Sequence, residues 1–341
     1  MTLSNTQKLP GLQSLRALAA GMVLIGHVLA EAEHYFDLSL PGDTVPWTRG
    51  VDLFFVISGF VIALSADRLR AEPVNFLKRR MLRVVPLYYV FTTLMVIVLL
   101  FLPGATKDTS LDPAQILSSY SFLPYAREDG RIAPVLSLGW TLNYEVFFYA
   151  MFALCLAFRS PRIALAAILS ACVIAGLVYP GTTTAFVFWT NPLILEFLFG
   201  VGLARLYQTG WHRPNTVLAI AGLFLGVALL ILLDAFNIPR VLAAGLPASL
   251  IVASGTLLCP NRATPGQLLG DASYALYLSH RFALRAATLL LLPLLPQTQL
   301  GAWIYIGLVT GLALGLGILT HLLLERPIMR ALASYPKVVP A

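Results

Sequence analysis

The sequence predicts an all-α, polytopic membrane protein with about ten transmembrane helices. Of its 341 residues, 58% are hydrophobic and only 11% are charged, whereas soluble domains carry about 25% charged residues. Its mean hydropathy is +0.80. The apolar runs extend over about 20 residues, the length that an α-helix needs to cross a bilayer, and they do not alternate as the ten-residue strands of a β-barrel do.

Hydropathy divides the chain into candidate spans that follow one another along a single domain, residues 1–341. The spans are residues 12–31, 49–66, 81–103, 138–158, 162–179, 185–206, 215–234, 239–258, 270–295 and 301–324. Pro192 and Glu196 interrupt the sixth span, and His280, Arg281 and Arg285 interrupt the ninth. The longest outer loop, about 104–137, is too short for a soluble domain, so we expect no appended domain.

The basic residues orient these spans, because Lys and Arg are enriched in cytoplasmic loops. With the N-terminus inside, 16 of the 23 Lys and Arg fall in cytoplasmic segments and five fall outside, so both termini are expected in the cytoplasm. The net charge of +7 therefore reflects the basic cytoplasmic loops, and no nucleic-acid partner is expected.

The first apolar span could alternatively be a cleaved signal peptide, because Lys8 precedes an apolar stretch ending in Ala30, Glu31 and Ala32. Its cleavage would discard His27.

Two ionisable residues, Arg16 and His27, interrupt the first span. Eleven positions correspond to about 1100° and a rise of about 16 Å on an α-helix, so both project from one face. Ionisable groups inside a membrane helix usually mark function, although Arg16 could also snorkel to the headgroups and His27 could be a packing residue. Glu31 and His34 follow on the same face. Glu31 could orient His27, whereas a metal site is disfavoured because no further ligand cluster or cysteine spacing is evident.

The second span carries Asp52 near its outer end, at a depth that we expect to be comparable to that of His27. Asp52 could orient a catalytic group or line a polar site, or it could be a simple interfacial carboxylate. Ser58 and Gly59 follow in the same span, and small residues of this kind allow two helices to approach closely.

The third span begins with the strongest electrostatic feature of the chain, the basic cluster Lys78, Arg79, Arg80 and Arg83. Arg80 and Arg83 are three positions apart and share a helix face. Guanidinium groups suit phosphate oxygens, so the cluster could bind a phosphate-bearing cofactor on the cytoplasmic side. Its alternative role is that of a topology anchor on anionic lipid.

The fourth and ninth spans contain further polar groups. Glu145 lies about 10 Å into the fourth span, where a carboxylate needs a partner. That partner could be supplied by an interhelical hydrogen bond. The aromatic residues around Glu145 suit an interfacial belt or a pocket wall; they include Trp140 and Tyr144. The ninth span opens with residues that could form a channel wall or ordinary core, namely Tyr274, Tyr277 and His280.

In combination, these segments resemble the acyltransferase-3 family of membrane-bound O-acyltransferases, over residues from about Leu12 to Pro327. The family's motifs are matched, in chain order, by Arg16 and His27, by Phe54, Phe55, Ser58, Gly59 and Phe60, by Arg80, Arg83 and Pro86, by Trp140 and Glu145, and by Ser273, Tyr274, Tyr277, Leu278 and His280. The chain is most similar to the exopolysaccharide-production branch. It departs from the family at Arg281, where an aromatic residue is often found.

The resemblance implies an enzyme of the bacterial inner (plasma) membrane that transfers an acyl group, usually acetyl, from cytoplasmic acetyl-CoA. The acceptor would be a hydroxyl of an extracytoplasmic glycan or its lipid-linked precursor, and no tightly bound cofactor or metal is implied. His27 would be the general base, oriented by Glu145 or Asp52, although a transient acetyl-histidine is equally open. The phosphates of CoA would contact Arg16, Arg79, Arg80 and Arg83. The substrate channel would be lined by Ser58, Trp140, Tyr144, Tyr274 and His280.

Two other classes of function require similar residues. A transporter or flippase for an anionic glycolipid would also place Arg, His and Glu inside the membrane. A non-catalytic membrane component of a polysaccharide assembly complex is the other alternative.

The predicted topology can be tested with single cysteines placed beside Arg68, Arg213 and Lys107 in a cysteine-free background. We expect the first two to react with an impermeant thiol reagent only after the membrane is opened, because they lie in basic cytoplasmic loops. The cysteine beside Lys107 should react in intact cells. Labelling of the positions beside Lys107 and Arg213 from the same side would contradict this topology.

Overall fold

The computed structural model describes residues 10–40, 45–69, 72–102, 112–179, 181–210, 213–258 and 265–333. The predicted orientation also uses residues outside these ranges, namely Lys8, Arg70, Lys107, Arg262 and Lys337, and Cys259 lies outside them too. The described part is helical throughout, apart from connecting segments and one isolated antiparallel bridge between Ala126 and Ile132. The prediction of an all-α protein is therefore confirmed.

The helices follow one another in the order α1 to α14. Their bounds are α1 Pro10–Phe36, α2 Gly50–Leu69, α3 Pro73–Phe101, α4 Pro113–Tyr120, α5 Trp140–Cys155, α6 Pro161–Val178, α7 Thr184–Trp189, α8 Leu195–Gln208, α9 Thr216–Asp234, α10 Leu246–Thr256, α11 Pro265–Asp271, α12 Ser273–Leu291, α13 Gln299–Thr320 and α14 Arg326–Ala333. Two π-helical segments, Val241–Gly245 and His321–Glu325, lead directly into α10 and α14.

Seven helical stretches of the described chain are long and apolar enough to cross a membrane, which confirms a polytopic membrane protein. They are Gly11–Phe36, Trp47–Ala66, Pro73–Phe101, Pro161–Val178, Thr216–Asp234, Ser273–Leu294 and Gln299–Ala333. Each coincides with one predicted span. The three remaining predicted spans, 138–158, 185–206 and 239–258, coincide with shorter helices, so the number ten stays a prediction.

Two predicted boundaries are wrong for identifiable reasons. The helix predicted from residue 81 begins at Pro73, because proline at the first helical position needs no amide partner. The basic cluster therefore lies inside α3. The span predicted over 185–206 is broken between α7 and α8 at Pro192, where the side chain of Asn191 accepts a hydrogen bond from the amide of Leu193 at 3.0 Å.

The helices group into two compact units, each made of non-contiguous parts of the chain. The first unit contains α1, α2 up to Leu64, and the chain from Phe199 to His321. Its apolar core joins α1, α12 and α13 through buried side chains that include Leu24, Val28, Leu284, Tyr305 and Val309. The packing of these side chains fixes the position of α1 relative to α12.

The second unit contains the chain from Ser65 to Leu198 together with the segment after His321. Aromatic stacking dominates its interior. Phe76 of α3 stacks on Phe152 of α5 with ring centroids 5.2 Å apart, and Phe148 stacks on Phe197 at 4.4 Å. α3 and α5 are thereby locked side by side.

The described part of the predicted outer loop, residues 112–137, is folded within the second unit. Asp112 caps α4 by accepting a hydrogen bond from the amide of Ala114 at 2.8 Å. The Tyr125 hydroxyl also donates to Asp112, and these bonds lower the pKa of its carboxyl. Ser119 accepts from the amide of Val135, which ties the loop back to α4.

Two glycines of α8 provide a matched test of packing in the first unit. A Cβ at Gly200 would lie 2.0 Å from the carbonyl oxygen of Val56 on α2, whereas a Cβ at Gly202 would meet no atom within 4 Å. We expect Gly200→Ala to lower the free energy of unfolding by about 1–3 kcal/mol, because α2 and α8 must separate. Gly202→Ala should be neutral or slightly stabilising. Thermal unfolding in detergent measures both, and equal stability of the two variants would contradict this packing.

Candidate active site

The imidazole rings of His27 and His280 meet between α1 and α12 in the first unit. Nε2 of His280 lies 3.1 Å from Nδ1 of His27, and the ring centroids are 5.1 Å apart with a tilt of 31°. His280 is 1% exposed, whereas His27 is half-buried. Nδ1 of His280 in turn lies 3.1 Å from the carbonyl oxygen of Leu276, one turn earlier on α12. The two rings are therefore within hydrogen-bond distance of one another, and the contact continues to a backbone carbonyl of α12.

Two further contacts follow the histidine pair along the same helices. Nη1 of Arg281 lies 3.6 Å from Oε1 of Glu31, and Nη1 of Arg285 donates to the hydroxyl of Tyr35 at 3.2 Å. His27, Glu31 and Tyr35 are spaced by four residues, so they occupy successive turns of one helix face. Arg281 and Arg285, to which the sequence assigns no role, thus continue the polar contact between α1 and α12. Glu31 is engaged by Arg281.

Aromatic rings adjoin the histidine pair. The ring of Tyr277 lies 6.1 Å from that of His280 and 6.1 Å from that of Phe54 on α2, the latter in an edge-to-face arrangement. Tyr274 and Ser58 are half-buried on α12 and α2. The structure therefore brings Tyr277 next to His280, and a channel lined by Ser58 and Tyr274 stays a prediction.

Asp52 is fully buried and forms a two-bond ion pair with Arg240. Nε of Arg240 donates to Oδ1 at 2.9 Å and Nη2 donates to Oδ2 at 2.8 Å. α1 and α2 run antiparallel, since Gly26 contacts Trp47 while Gly50 contacts the carbonyl of Ala19. The comparable depth of Asp52 and His27 stays a prediction.

The basic cluster belongs to the second unit and is arranged around Arg80. Its guanidinium donates to the hydroxyl of Ser65 and lies over the ring of Phe76, with Cζ 5.7 Å from the ring centroid. Such cation–π contacts stabilise a partly desolvated guanidinium. Arg83 is exposed one turn later on α3, and Lys78 is exposed as well, whereas Arg79 is half-buried. Arg16 is half-buried on α1 in the first unit.

Glu145 lies on α5 beside the cluster. It accepts a hydrogen bond from the hydroxyl of Tyr149, one turn later, and both groups interact electrostatically with Arg80. Tyr149 also interacts with Arg83. The structure thus brings Glu145 together with the arginine cluster. The role of Glu145 in orienting His27 stays a prediction.

The two aromatic residues predicted near Glu145 differ in burial. Trp140 is half-buried and packs edge-to-face on Tyr144 with ring centroids 5.9 Å apart. Tyr144 is 3% exposed and stacks on Phe188 at 3.9 Å. This stacking makes Tyr144 part of the interior of the second unit, and a role of either ring in a substrate channel stays a prediction.

Comparison with known proteins agrees with these features. The profile of a family described as an acyltransferase domain, the acyltransferase-3 family, matches residues 9–322. The chain belongs to the acyltransferase-3 family. The prediction of a membrane-bound acyltransferase is therefore confirmed, which decides against the two non-enzymatic alternatives.

Three relatives are informative. The exopolysaccharide production protein ExoZ of Rhizobium meliloti is 31% identical over 90% of this chain and 95% of its own length. The acyltransferase MdmB of Streptomyces mycarofaciens is 28% identical over 82% of this chain and 79% of its own. The O-acetyltransferase OatA of Staphylococcus aureus is 30% identical over 45% of this chain and 26% of its own. No solved structure shows significant similarity to the chain.

Several partners of the predicted residues escape sequence reasoning. Arg240 is indistinguishable from a topology-setting arginine until the burial of Asp52 shows that a cationic partner is required. Ser65 is an ordinary residue of an apolar helix in the sequence, although it contacts Arg80, and Tyr149 is expected only as one of the aromatic residues around Glu145, without its hydrogen bond to that carboxylate. A buried carboxylate needs a cationic partner, and this need of Asp52 is the one signal that could have prompted a search for Arg240.

A double-mutant cycle on Asp52 and Arg240 tests whether this carboxylate is structural. Arg240→Ala leaves Asp52 buried and unpaired, so we expect a loss of about 3 kcal/mol in the free energy of unfolding. The double variant Asp52→Ala/Arg240→Ala should lose less than the sum of the two single variants. The more exposed pair of Arg49 and Asp234 provides a control, for which Arg49→Ala should cost at most about 1 kcal/mol. Strict additivity in the cycle would contradict a coupled pair.

Proposed function

We propose that this protein acetylates a glycan across the membrane. The donor is cytoplasmic acetyl-CoA, and the acceptor is a hydroxyl of an extracytoplasmic glycan such as an exopolysaccharide or its lipid-linked precursor. The membrane is the inner (plasma) membrane of a bacterium, because the donor is made in the cytoplasm while the acceptor lies outside it.

The names of the relatives support the choice of acceptor. The ExoZ protein, which aligns with nearly the whole chain, is an exopolysaccharide production protein, and the OatA protein is an O-acetyltransferase. The match to the acyltransferase family covers the membrane helices of this chain, so we assign to these helices the positioning of donor and acceptor. Polar residues inside those helices are then the candidates for chemistry.

The observation that carries the proposal is the half-buried imidazole of His27, held by His280 within a membrane-spanning helix. A neutral imidazole can take the proton of an attacking hydroxyl near physiological pH, and general-base catalysis of this kind contributes about 10²–10⁴ in rate. His27 would therefore act as the base that activates the acceptor.

The chemical step is a balanced acyl transfer. The acceptor oxygen bonds to the carbonyl carbon of the thioester while His27 takes the hydroxyl proton. The carbon–sulfur bond then breaks, and the sulfur of CoA leaves with its electron pair and receives the proton. In the alternative route, a nitrogen of His27 first bonds to the carbonyl carbon of the thioester, the carbon–sulfur bond breaks, and the sulfur of CoA leaves with the electron pair and receives the proton lost by the imidazole. The acceptor oxygen then bonds to the acetyl carbon, the carbon–nitrogen bond breaks, and the hydroxyl proton passes to the imidazole.

The arginine cluster is the proposed donor site. Arg80 is already anchored by Ser65 and Phe76, which lowers the entropy lost when a ligand binds. Arg83 is exposed and presents a planar fork that matches phosphate oxygens. We assign the phosphates of CoA to Arg80 and Arg83, with Arg79 as a further contact, whereas the contact expected of Arg16, which belongs to the first unit, stays a prediction.

The carboxylates have different surroundings. The pair of Asp52 with Arg240 favours a structural role, since both oxygens are engaged by one guanidinium. The bond of Glu145 to Tyr149 and its proximity to Arg80 favour a role near the donor. Neither of these contacts supports a role for Asp52 or Glu145 in orienting His27.

Purified protein in liposomes, with acetyl-CoA carrying a labelled acetyl group and a glycan acceptor, tests the proposal. Wild type should transfer label to glycan. His27→Gln should still bind acetyl-CoA, but its transfer rate should fall at least about 10²-fold, because glutamine cannot accept the proton.

Arg83→Ala should weaken acetyl-CoA binding roughly tenfold or more, since a hydrogen bond to a charged group contributes about 1.5–3 kcal/mol. Arg83→Lys should weaken binding less.

Arg159→Ala is the matched control for the arginine variants, because Arg159 is exposed in the connection between α5 and α6 and lies outside the cluster. Its donor affinity should equal that of wild type. A folded His27→Gln variant with near wild-type transfer would remove His27 from the mechanism. Unchanged donor affinity in Arg83→Ala would reduce the cluster to a lipid anchor.

A further inference from the structure

The hydrogen-bond chain from His27 through His280 to Leu276 has a defined direction. The carbonyl of Leu276 can only accept, so Nδ1 of His280, 3.1 Å away, must carry a hydrogen. A neutral imidazole has one N–H, so Nε2 of His280 then has a free electron pair. That nitrogen lies 3.1 Å from Nδ1 of His27, so an N–H at Nδ1 of His27 can donate to it, in addition to the backbone carbonyl of Val23 with which His27 also interacts.

The alternative is a doubly protonated His280, which would reverse the bond to His27. His280 is 1% exposed, and the next residue in the chain is Arg281. The nearby carboxylate, Glu31, is already paired with Arg281 at 3.6 Å, and the adjoining ring of Tyr277 carries no charge. A second cation in this position would be desolvated and repelled, so the neutral form of His280 is favoured.

We propose that His280 is a positioning residue that holds His27 with its hydrogen on Nδ1, so that Nε2 is the nitrogen available as base or nucleophile. His280 acts through His27 and does not itself touch the reacting atoms. This proposal rests on the proposed function for its kinetic consequence, whereas the position of the hydrogen can be measured without any substrate.

The same bond also serves the charged state of His27. When Nε2 of His27 takes a proton, its Nδ1–H continues to donate to Nε2 of His280, and the bond becomes charge-assisted and stronger. His280 therefore plays the part that a carboxylate plays toward the histidine of many hydrolytic enzymes. It differs in being neutral, so it adds no buried charge to the resting site.

Nitrogen-15 NMR of histidine-labelled protein tests the assignment directly. The chain has five histidines, and the signals of His27 are those that disappear in His27→Gln. In wild type at a pH where His27 is neutral, we expect Nδ1 of His27 to be protonated and Nε2 to be unprotonated. In His280→Leu, which removes the side-chain acceptor and leaves only the backbone carbonyl of Val23, the fraction of His27 protonated on Nδ1 should fall.

Kinetics provide the second test, with His280→Gln as the matched variant because its side-chain oxygen can accept from Nδ1–H. His280→Leu should lower kcat about 10- to 100-fold, the size of effect known for losing the hydrogen-bond partner that fixes the tautomer of a metal-binding histidine. KM for acetyl-CoA should change little, because His280 lies outside the arginine cluster. His280→Gln should recover most of kcat.

The outcomes distinguish this proposal from the proposed function. A wild-type His27 protonated on Nε2 would overturn the assignment, whether or not the protein transfers acetyl groups. An unchanged kcat in folded His280→Leu would overturn the positioning role. A His27 protonated on Nδ1 in a protein that acetylates no glycan would support the assignment and sink the proposed function.

Discussion

Each polar group that enters an apolar helix of this protein has to find a partner, and this constraint shapes both of its units. An unpaired polar group costs several kcal/mol in a medium without water. His27 meets His280, Asp52 meets Arg240, and Glu145 meets Tyr149. In the first unit these contacts join different helices, so they select the register in which the apolar faces pack.

The pairing of two imidazoles has a consequence for reactivity. A carboxylate partner would bring a permanent charge into the buried contact between α1 and α12, with its own desolvation cost. The neutral ring of His280 avoids that cost and satisfies its remaining hydrogen on the carbonyl of Leu276. The contact is therefore fully hydrogen-bonded in its resting state, and a network of this kind specifies one arrangement of its members.

Charged residues in the two units have contrasting surroundings. Asp52 and Arg240 satisfy one another through two hydrogen bonds, as expected of a group that stabilises the fold. Arg83 is exposed beside the anchored Arg80, as expected of a group that receives a ligand. Family membership identifies an acyltransferase, and these surroundings separate the residues that suit chemistry from those that suit stability.

The helical class, the membrane spans, the shared face of Arg16 and His27 and the basic cluster are all predictable from the sequence, because composition and helical period are local properties. The break at Pro192 and the early start of α3 at Pro73 depend on how backbone groups are capped, which hydropathy does not measure. The partners of the polar residues required the tertiary structure. His280 is 253 positions from His27 and Arg240 is 188 positions from Asp52. No local pattern encodes such pairs, since they are decided by which helix faces the packing of apolar side chains brings together.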